Sequence, residues 1–565
     1  MGVFLYSNKM IATEKVVAVY ESRGHHNIET HSDGLMTLVT APKIIVNNCN
    51  YLDGQNLGGA KNDFAVGVGT FFYKTLYGAE ALKKIYEDLD AILIDNLVYG
   101  HYAFCIRKNG ATYIFNDMSG FLRLYYSEVK NQIVVSSSML SVLSTIQHPK
   151  FDEKRLGGFV VGHYGRESAF VQGLEIFDPL KYLVIGEDGN IKWINKDVPE
   201  VPRIETIEDA KKLVKRLFKE QVDNIKPALS NQKICVDATG GLDSRLISSV
   251  LKTAGIDFDY INYPIFGPDA EIANILAEKQ KKRLLIQSNK PAGDDAKQLY
   301  GEFDFGHNYF RQYANPRWIK ECQFEFSGAR GECIDLPDIY SDEDLSLMND
   351  TRPEVLIDKL LANGKLMTEE NFKSFVAYSM EYVNKRCGFK KGEPLSEKQQ
   401  VEFTQFYAGQ YGDSMYNSGS QAHIYFYQLY NEWHFNHFIT DIAFDAKKCR
   451  KLTIALIKDI NPELASFPFV SRRRTRKNSV NEVSELPMQY KSFNGIKKLI
   501  PNVVLNYLYK RMGRHFPKER LSAIDMDRYK DVLKVNELKK YPNLHSEILN
   551  RLFSVEVLRK KMNIE

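Results

Sequence analysis

The first part of the chain alternates short apolar runs with Asn, Asp and Gly, from Val16 to about Gln147. This pattern predicts mostly strands, with one helix at residues 78–89, and therefore an antiparallel α+β domain. The predicted strand segments are KVVAVYES, LMTLVTA, KIIVNN, FAVGVGTFFY, AILIDNLVYGHYAFCIRK, ATYIFND, RLYYS and QIVVSSS. A smaller β-rich run, residues 159–195, leads into DVPEVPRIET, whose prolines are typical of a linker.

After this linker the apolar period changes to that of a helix. Thr206 and Asp209 predict a capping box, and apolar residues then recur at helical spacing at positions 210, 213, 214, 217, 218, 222 and 225. Strands and helices follow in alternation: KICVDA, RLISSVLKTAG, FDYINYPI, DAEIANILAEKQKKR and RLLIQS. Alternation of this length predicts a doubly wound parallel sheet. Beyond about Leu345 the pattern is mostly helical.

Composition narrows the class of protein. With 565 residues, 44% hydrophobic and 26% charged, the chain predicts two or three globular domains. A formal charge of +4 is small for this length and gives no reason to expect nucleic acid as a partner. The seven cysteines form no C-x-x-C pair, and neither a signal peptide nor a membrane span stands out. These features predict a reducing compartment and a cytoplasmic location.

The turn at residues 239–245 is the main candidate for chemistry. Its two glycines let the backbone approach a phosphate, and the start of the following helix adds partial positive charge. Asp243 offers the carboxylate that a Mg²⁺ ion bridging phosphates would need. The lysine-bearing loop G-x-x-x-x-G-K-[ST] is absent, which counts against a kinase or a motor ATPase. Ordinary turn and N-cap chemistry is the alternative interpretation.

The sequence of this turn, TGGLDSR, resembles the signature of the asparagine-synthetase-like ATP pyrophosphatases. The resemblance implies that the loop holds the pyrophosphate of ATP while a substrate carboxylate attacks the α-phosphate, and that an amine then displaces AMP. It implies ATP-binding roles for Thr239, Gly240, Gly241, Leu242, Asp243, Ser244 and Arg245, with Asp243 as a Mg²⁺ ligand. The segment GPDAEIANILAEK extends the resemblance, which covers most of residues 15–471.

Two further patches resemble motifs of that family in part. In FSGARGECID, Glu332 matches a metal-binding and catalytic glutamate, while Gly331 stands where aspartate is expected; Asp335 is a possible substitute. In QLYNEWHFNHF, Glu432 matches a glutamate that would orient or deprotonate the attacking amine, but His434 replaces arginine. His434 and His437 also have the spacing of a metal pair, although a third ligand is lacking and packed histidines are the simpler interpretation.

The carboxyl-terminal third is basic. Five cations follow Ser471, namely Arg472, Arg473, Arg474, Arg476 and Lys477, and by resemblance one of them would lie near the leaving pyrophosphate. Farther on, apolar residues recur at helical spacing between Ile496 and Met512, with lysines and arginines around them. A helix covering the core is one interpretation. The other is a basic surface that faces an anionic substrate or a membrane.

The β-rich first domain resembles a class II glutamine amidotransferase domain, an Ntn-hydrolase-like fold, through VGVGTFFY, GHYAF and DMSG followed by LYY. Such domains use an amino-terminal cysteine as nucleophile. This chain begins Met1-Gly2 and its first cysteine is Cys49, so we expect no glutaminase activity. The domain would then serve as a scaffold, supplying part of the substrate cavity or a contact in a homodimer.

The leading hypothesis is an ATP-dependent ligase with three parts: residues 1–200 amidotransferase-like, 201–480 ATP-binding and 481–565 a basic helical extension. Its substrates would be a carboxylate on a small molecule, peptide or glycan precursor, and an amine donor. One alternative is an asparagine synthetase that uses ammonia. An alternative of another class is an inactive binding or scaffold subunit of a biosynthetic complex. Sequence motifs do not specify the two substrates.

Overall fold

The structure is a computed structural model of the chain. It describes residues 2–46, 51–161, 169–230, 232–262, 267–286, 321–334, 350–360, 364–390, 392–403, 421–447, 450–471, 485–487, 501–511 and 516–565.

The amino-terminal part contains two antiparallel sheets. Its strands are β1 (Val3–Ser7), β2 (Glu29–Ser32), β3 (Thr37–Ala41), β4 (Tyr51–Asp53), β5 (Phe64–Tyr73), β6 (Leu76–Tyr77), β7 (Tyr99–Lys108), β8 (Ala111–Asn116), β9 (Tyr125–Val129), β10 (Gln132–Ser136), β11 (Glu175–Ile176), β12 (Lys181–Ile185) and β13 (Ile191–Asn195). One sheet has the order β11-β9-β10-β1-β3-β2 and the other β13-β12-β8-β7-β5-β4, with β6 paired to β5. The helices are α1 (Glu14–Ser22), α2 (Gly54–Leu57), α3 (Gly78–Glu87), α4 (Leu89–Asp95), α5 (Met139–Leu143) and α6 (Glu153–Val161).

These elements form four layers. The two sheets face each other across a core that includes Phe4, Leu38, Val66 and Cys105. Helices α1 and α5 cover the outer face of the first sheet, and α3 and α4 cover that of the second. The predicted antiparallel α+β organisation of this part is confirmed.

Four predicted strand segments are wrong in whole or in part. KVVAVYES forms α1, because its buried residues Val16, Val19 and Tyr20 follow helical rather than alternating spacing. In KIIVNN, Ile44 to Val46 form a turn whose Ile44 N–H donates to the carbonyl of Ala422 at 2.8 Å; Asn47 and Asn48 lie outside the described residues. The run that begins at Phe159 starts inside α6, and AILID belongs to α4.

The second part contains a parallel sheet. Its elements are α7 (Ile207–Ile225), β14 (Ile234–Asp237), α8 (Leu242–Thr253), β15 (Asp259–Asn262), α9 (Gly267–Gln280), β16 (Leu284–Ile286), β17 (Phe324–Ser327) and β18 (Tyr425–Gln428). The order is β16-β15-β14-β17-β18, and every neighbouring pair is parallel. The predicted parallel sheet is therefore confirmed, with β17 and β18 as strands that sequence patterns did not reveal. Thr206 caps α7, as predicted, by accepting the N–H of Asp209 at 3.1 Å.

The remaining helices are α10 (Pro353–Leu360), α11 (Glu369–Cys387), α12 (Glu397–Phe403), α13 (Trp433–Asn436), α14 (Phe444–Lys447), α15 (Lys451–Ile460), α16 (Pro462–Ala465), α17 (Asn502–Arg511), α18 (Lys518–Ala523), α19 (Val535–Lys540) and α20 (Ser546–Met562). Short 3-10 turns occupy Lys226–Leu229, Gly331–Ile334, Gly364–Leu366, Leu429–Asn431 and Met526–Tyr529. Strands β19 (Phe469–Ser471) and β20 (Glu485–Pro487) form a small parallel pair. Helices α7, α8 and α15 share a core with one face of the five-stranded sheet.

The carboxyl-terminal helices pack on the amino-terminal part. Val3 and Leu5 of β1, Phe375 of α11, and Leu549 and Leu552 of α20 belong to one hydrophobic core. Two backbone hydrogen bonds close the chain on itself, from Phe151 N–H to the carbonyl of Glu565 and from Glu565 N–H to that of Pro149. The core thus crosses the predicted boundaries at residues 200 and 481, because the last helices bury their apolar faces against the first domain.

Candidate functional site

The segments that follow β14, β17 and β18 meet at one edge of the sheet, because neighbouring parallel strands end on the same side. The segment after β14 is the predicted phosphate loop. The segment after β17 contains Gly331 and Glu332, and the segment after β18 contains Glu432. The tertiary structure therefore brings the three sequence motifs to the same edge of the molecule.

The phosphate loop is closed by its own hydroxyl groups. The Oγ atoms of Thr239 and Ser244 lie 2.8 Å apart, and the N–H of Thr239 donates to the Ser244 Oγ at 3.3 Å. The Gly241 N–H donates to the Thr239 Oγ1 at 3.1 Å, and α8 begins at the next residue. This arrangement places the amino terminus of a twelve-residue helix at the edge of the sheet.

Residues of the loop alternate in exposure. Thr239, Gly241 and Asp243 are half-buried, whereas Gly240 and Ser244 are buried. The side chain of Leu242 is buried in the core between the sheet and its helices, so only its backbone would face a ligand. The half-buried residues of the loop are thus Thr239, Gly241 and Asp243, and the Oδ1 atom of Asp243 is itself buried.

Asp243 is held by the segments that follow β17 and β18. Its carbonyl accepts the Tyr430 hydroxyl at 2.9 Å, and Tyr430 follows β18. A Cβ at Gly331 would lie 2.3 Å from the Asp243 Cβ, and one at Gly328 would lie 2.5 Å from the Ser244 backbone N. Both contacts are shorter than side chains tolerate, so the two glycines are needed for the close approach. The aspartate that the motif would have at position 331 has no room there.

Glu332 lies in the 3-10 turn Gly331–Ile334, next along the chain to the residue that touches Asp243. Its side chain lies outside the described residues, as do Asp335, Cys49 and the basic run at 472–477. Among the residues that the structure describes, no three or more His, Cys, Asp or Glu side chains are grouped to hold a metal ion.

Arg245 points away from the phosphate loop. Its guanidinium is buried and donates to the carbonyl of Phe467 at 2.7 Å and to that of Pro468 at 2.6 Å. Burial lowers the pKa of this group to about 10. Arg245 therefore joins α8 to the turn that precedes β19. Strand β19 ends at Ser471, just before the basic run.

Glu432 occupies the N-cap of α13. One carboxylate oxygen accepts the Phe435 N–H at 3.2 Å, and the other bonds the Nδ1 of His434 at 2.8 Å. The Nε2 of His434 bonds the carbonyl of Asn96, in the amino-terminal part, at 2.8 Å. Burial by itself would lower the pKa of His434, but the charge and hydrogen bond of Glu432 outweigh it and raise the pKa. The pair thus links the two halves of the chain through the imidazole of His434.

His434 and His437 are packed residues, as the simpler interpretation predicted. His434 stacks on Tyr99, with ring centroids 4.5 Å apart, and Nε2 of His437 bonds the carbonyl of Pro199 at 2.7 Å. Each of the two histidine rings therefore contacts a residue far away in the sequence rather than the other histidine.

Sequence reasoning missed a row of buried polar residues at this edge. Four adjacent strands, β15, β14, β17 and β18, end in Asn262, Asp237, Ser327 and Gln428 respectively. Burial raises the pKa of Asp237 to about 6, although hydrogen bonds with Ser327, the Gly328 backbone and Glu325 lower it in part. A polar residue closing an otherwise apolar strand, as in KICVD, is the sequence signal that would have found them.

In the amino-terminal part there is little space beside Gly2. The Gly2 N–H donates to the carbonyl of Ala41 at 3.0 Å, and a Cβ at Gly2 would lie 2.6 Å from the His25 ring and from the Pro42 carbonyl oxygen. Asp117 accepts the N–H groups of Phe121 at 3.1 Å and Leu122 at 3.0 Å, so it organises its own turn. Burial raises the pKa of Asp117 to about 7.

Comparison with known proteins gives only weak likenesses. No family description and no curated protein matches the sequence. Glutamine phosphoribosylpyrophosphate amidotransferase from B. subtilis, solved with ADP and GMP, is similar at 12% identity over 52% of this chain and 67% of its own, with a TM-score of 0.23. A structure of the allosteric regulatory enzyme of purine biosynthesis is similar at 11% identity over 52% of this chain and 81% of its own, with a TM-score of 0.25. Scores this low do not establish a shared fold.

In the part of the chain that the structure describes, no helix is both long enough and apolar enough to cross a bilayer.

Proposed function

We propose that this chain is an ATP-dependent carbon–nitrogen ligase that adenylates a carboxylate and transfers the acyl group to an amine, releasing AMP and pyrophosphate. The observation that carries the proposal is the loop from β14 to α8, in which two glycines and two hydroxyls lie at a helix amino terminus on the carboxyl edge of a parallel sheet. This is a position at which α/β proteins bind phosphate groups. We further propose a cytoplasmic location and the three sequence-defined parts given above.

In this proposal the loop binds the β- and γ-phosphates of ATP. The Thr239 and Ser244 hydroxyls, which now bond each other, would donate to phosphate oxygens, together with backbone N–H groups from Gly240 to Asp243. A substrate carboxylate oxygen attacks the α-phosphorus, and the bond to the bridging oxygen of pyrophosphate breaks. The nitrogen of the amine then attacks the acyl carbon, loses a proton, and AMP leaves.

Asp243 and Glu332 are the proposed Mg²⁺ ligands. The donor chemistry fits, because Mg²⁺ prefers carboxylate oxygens and usually takes only one or two of them beside the phosphates. The geometry supports pairing them, since Gly331, the neighbour of Glu332, touches the Asp243 side chain. When bound, Mg²⁺ would offset negative charge on the leaving pyrophosphate.

Glu432 is the proposed group that orients or deprotonates the amine. Its two oxygens are fixed by His434 and by the Phe435 N–H, so its orientation is set before any substrate binds. The asparagine synthetase that uses ammonia is one case of this proposal, and differs only in the acceptor and donor.

An inactive binding subunit is the second candidate function. It is favoured by the capping role of Glu432 and by the absence of an acid at position 331, where the backbone packs on Asp243. Both features reduce the number of carboxylates available for chemistry. ATP binding without turnover would distinguish this candidate from the ligase.

The test is ATP–pyrophosphate exchange, with isotopic pyrophosphate, Mg²⁺ and a panel of carboxylic and amino acids. We expect carboxylate-dependent exchange, products AMP and pyrophosphate, and at least about a hundredfold loss in Asp243→Ala with an unchanged melting temperature. Asp257→Ala is the matched control, because Asp257 is an exposed acid beyond the other end of α8 that pairs with Lys282. Release of ADP, or full exchange by Asp243→Ala, would contradict the proposal. ATP binding with no exchange across the panel would favour the inactive subunit.

Glutamine hydrolysis provides a separate test of the amino-terminal part. We expect no release of glutamate from glutamine above a blank, because Gly2 provides no nucleophile and His25 and Pro42 fill the space beside it. Glutamate production by the purified chain, at a rate proportional to its concentration, would overturn this expectation.

A further inference from the structure

Helix α17, at Asn502–Arg511, exposes apolar side chains on one face. Val503 is 62% exposed, Val504 43% and Tyr507 58%. Their spacing of one and four residues places them together on the helix surface. Aliphatic residues with this exposure in one cluster are uncommon on a surface that contacts only water.

The opposite side of the helix is fixed to the protein. Leu505 is buried, and the Oδ1 of Asn506 accepts the N–H groups of Asn543 at 2.8 Å and Leu544 at 3.0 Å. The Nδ2 of Asn502 donates to Glu537 at 3.1 Å. These contacts determine which side faces outward, so the apolar face is presented to the surroundings by the fold itself.

The chain around this helix is strongly basic. Residues 486–518 contain no Asp or Glu but seven cations: Lys491, Lys497, Lys498, Lys510, Arg511, Arg514 and Lys518. The whole chain carries only +4, so this segment concentrates positive charge. The neighbouring helix α19 has one acidic residue, Glu537, which accepts a hydrogen bond from Asn502. It also has two exposed lysines, Lys539 and Lys540, so its net charge is positive.

We propose that the exposed face of α17 docks on an anionic lipid bilayer, with Val503, Val504 and Tyr507 entering the headgroup region. Apolar side chains in a segment of sequence rich in lysine and arginine are the combination that binds such a surface, and tyrosine favours the boundary between headgroups and acyl chains. A helix of ten residues lying in the plane of the bilayer anchors the chain reversibly and does not span it. This inference is independent of the proposed ligase activity.

The test is co-sedimentation of the full chain with vesicles of phosphatidylcholine alone and of phosphatidylcholine mixed with phosphatidylglycerol, at low and at physiological salt. We expect binding to the anionic vesicles at low salt, weaker binding at physiological salt, and little binding to phosphatidylcholine alone. The variant Val503→Ser/Val504→Ser/Tyr507→Ser should bind anionic vesicles at least about tenfold more weakly. The double substitution Lys510→Glu/Arg511→Glu should also weaken binding.

The matched control is Leu35→Ser/Ile94→Ser, which removes apolar residues that are 68% and 64% exposed elsewhere on the surface. It should bind vesicles as the parent does, and circular dichroism should show all variants folded. Absence of binding at both salts, equal binding by the triple variant, or equal binding to neutral vesicles would each overturn the proposal. One further outcome would overturn the proposal. If the parent does not bind vesicles but forms a dimer in sedimentation velocity, and the triple variant is a monomer, the exposed face joins two copies of the chain.

Discussion

Gly331 shows how one residue can change the meaning of a motif. The matching position in the resembling family carries an aspartate, so its absence suggests a weakened metal site. In the structure the backbone at Gly331 touches the Asp243 side chain, and a Cβ would lie 2.3 Å from the Asp243 Cβ. The glycine thus permits the segment after β17 to pack on the first turn of α8, and an aspartate at this position would not fit.

We predict that restoring the motif residue will damage the protein. Gly331→Asp should lower the free energy of unfolding by roughly 3 kcal/mol or more, because it combines overpacking with a second carboxylate beside Asp243. Gly331→Ala should cost about 1–3 kcal/mol from overpacking alone. Urea denaturation measures both values. A Gly331→Asp variant as stable as the parent, with higher activity, would show that the backbone at this position can move.

The Glu432–His434 pair should make stability depend on pH. The pKa of His434 is raised in the folded state, so its contribution is fully present below the unfolded value of about 6.5 and is lost as pH rises through the folded pKa. We therefore predict a melting temperature that falls over this range, and a smaller fall in Glu432→Gln. Glu432→Gln should also cost roughly 1–3 kcal/mol at pH 6, through a weaker N-cap and the loss of a buried ion pair.

His437→Asn is the control for this prediction. Burial lowers the pKa of His437, so this ring is neutral in the folded protein above pH 6.5 and contributes no slope there. The control should lower stability without changing its pH dependence. Identical slopes for the parent and Glu432→Gln would contradict a pKa of His434 that Glu432 raises.

At the scale of elements, both ends of α8 contact the segment at residues 463–468, which precedes the basic run. Arg245, in its first turn, bonds the carbonyls of Phe467 and Pro468, and Lys252, in its last turn, pairs with Glu463 at 2.8 Å. The first contact is buried and satisfies two carbonyls, whereas the second is exposed. Arg245 thus joins the turn at residues 239–245 to the turn before β19.

We predict unequal effects when the two contacts are removed. Arg245→Met should cost about 2–4 kcal/mol, because two backbone carbonyls lose their donor in a buried place. Lys252→Met should cost less than about 1 kcal/mol, as is typical of an exposed pair. Arg245→Lys, which keeps one donor group, should retain most stability but raise the KM for pyrophosphate in the exchange assay more than it lowers kcat. Equal KM values in Arg245→Lys and the parent would leave Arg245 with a structural role only.

At the scale of the whole molecule, the ends of the chain share one core. Leu549, Leu552 and Val555 of α20 are buried in the same cluster as Val3 and Leu5 of β1. Such a core couples the last twenty residues to the first domain, so the amino-terminal part depends on residues more than 500 positions away in the sequence.

We predict that a substitution that destabilises α20 will also destabilise β1. Leu552→Ala should destabilise the chain by about 2–5 kcal/mol and increase hydrogen exchange at the amides of β1 and β3 by the same free energy as in α20. Lys561→Ala, on the exposed side of the same helix, should change neither. If α20 loses protection while β1 keeps it, the two ends do not unfold together.

Local patterns were sufficient where the chain interacts with its neighbours in sequence. The period of apolar residues and the Thr206 cap identified α7, and the alternation after it identified the parallel order of β14 to β16. The spacing of glycines, hydroxyls and an acid identified the phosphate loop as the candidate site. Local patterns gave the wrong element at KVVAVYES. Its β-branched residues are compatible with both a strand and a helix, and burial in the tertiary structure decides between them.

The sequence by itself thus determined the antiparallel and parallel sheet regions and the candidate loop, since hydrophobic period and turn chemistry are properties of short segments. Only the tertiary structure decided what depends on residues far apart. It added β17 and β18 to the sheet, turned Arg245 away from the loop, and placed Gly331 against Asp243. It also bound Glu432 to His434 and joined α20 to β1. Contacts across hundreds of residues are fixed by packing of the whole chain, and no local pattern encodes them.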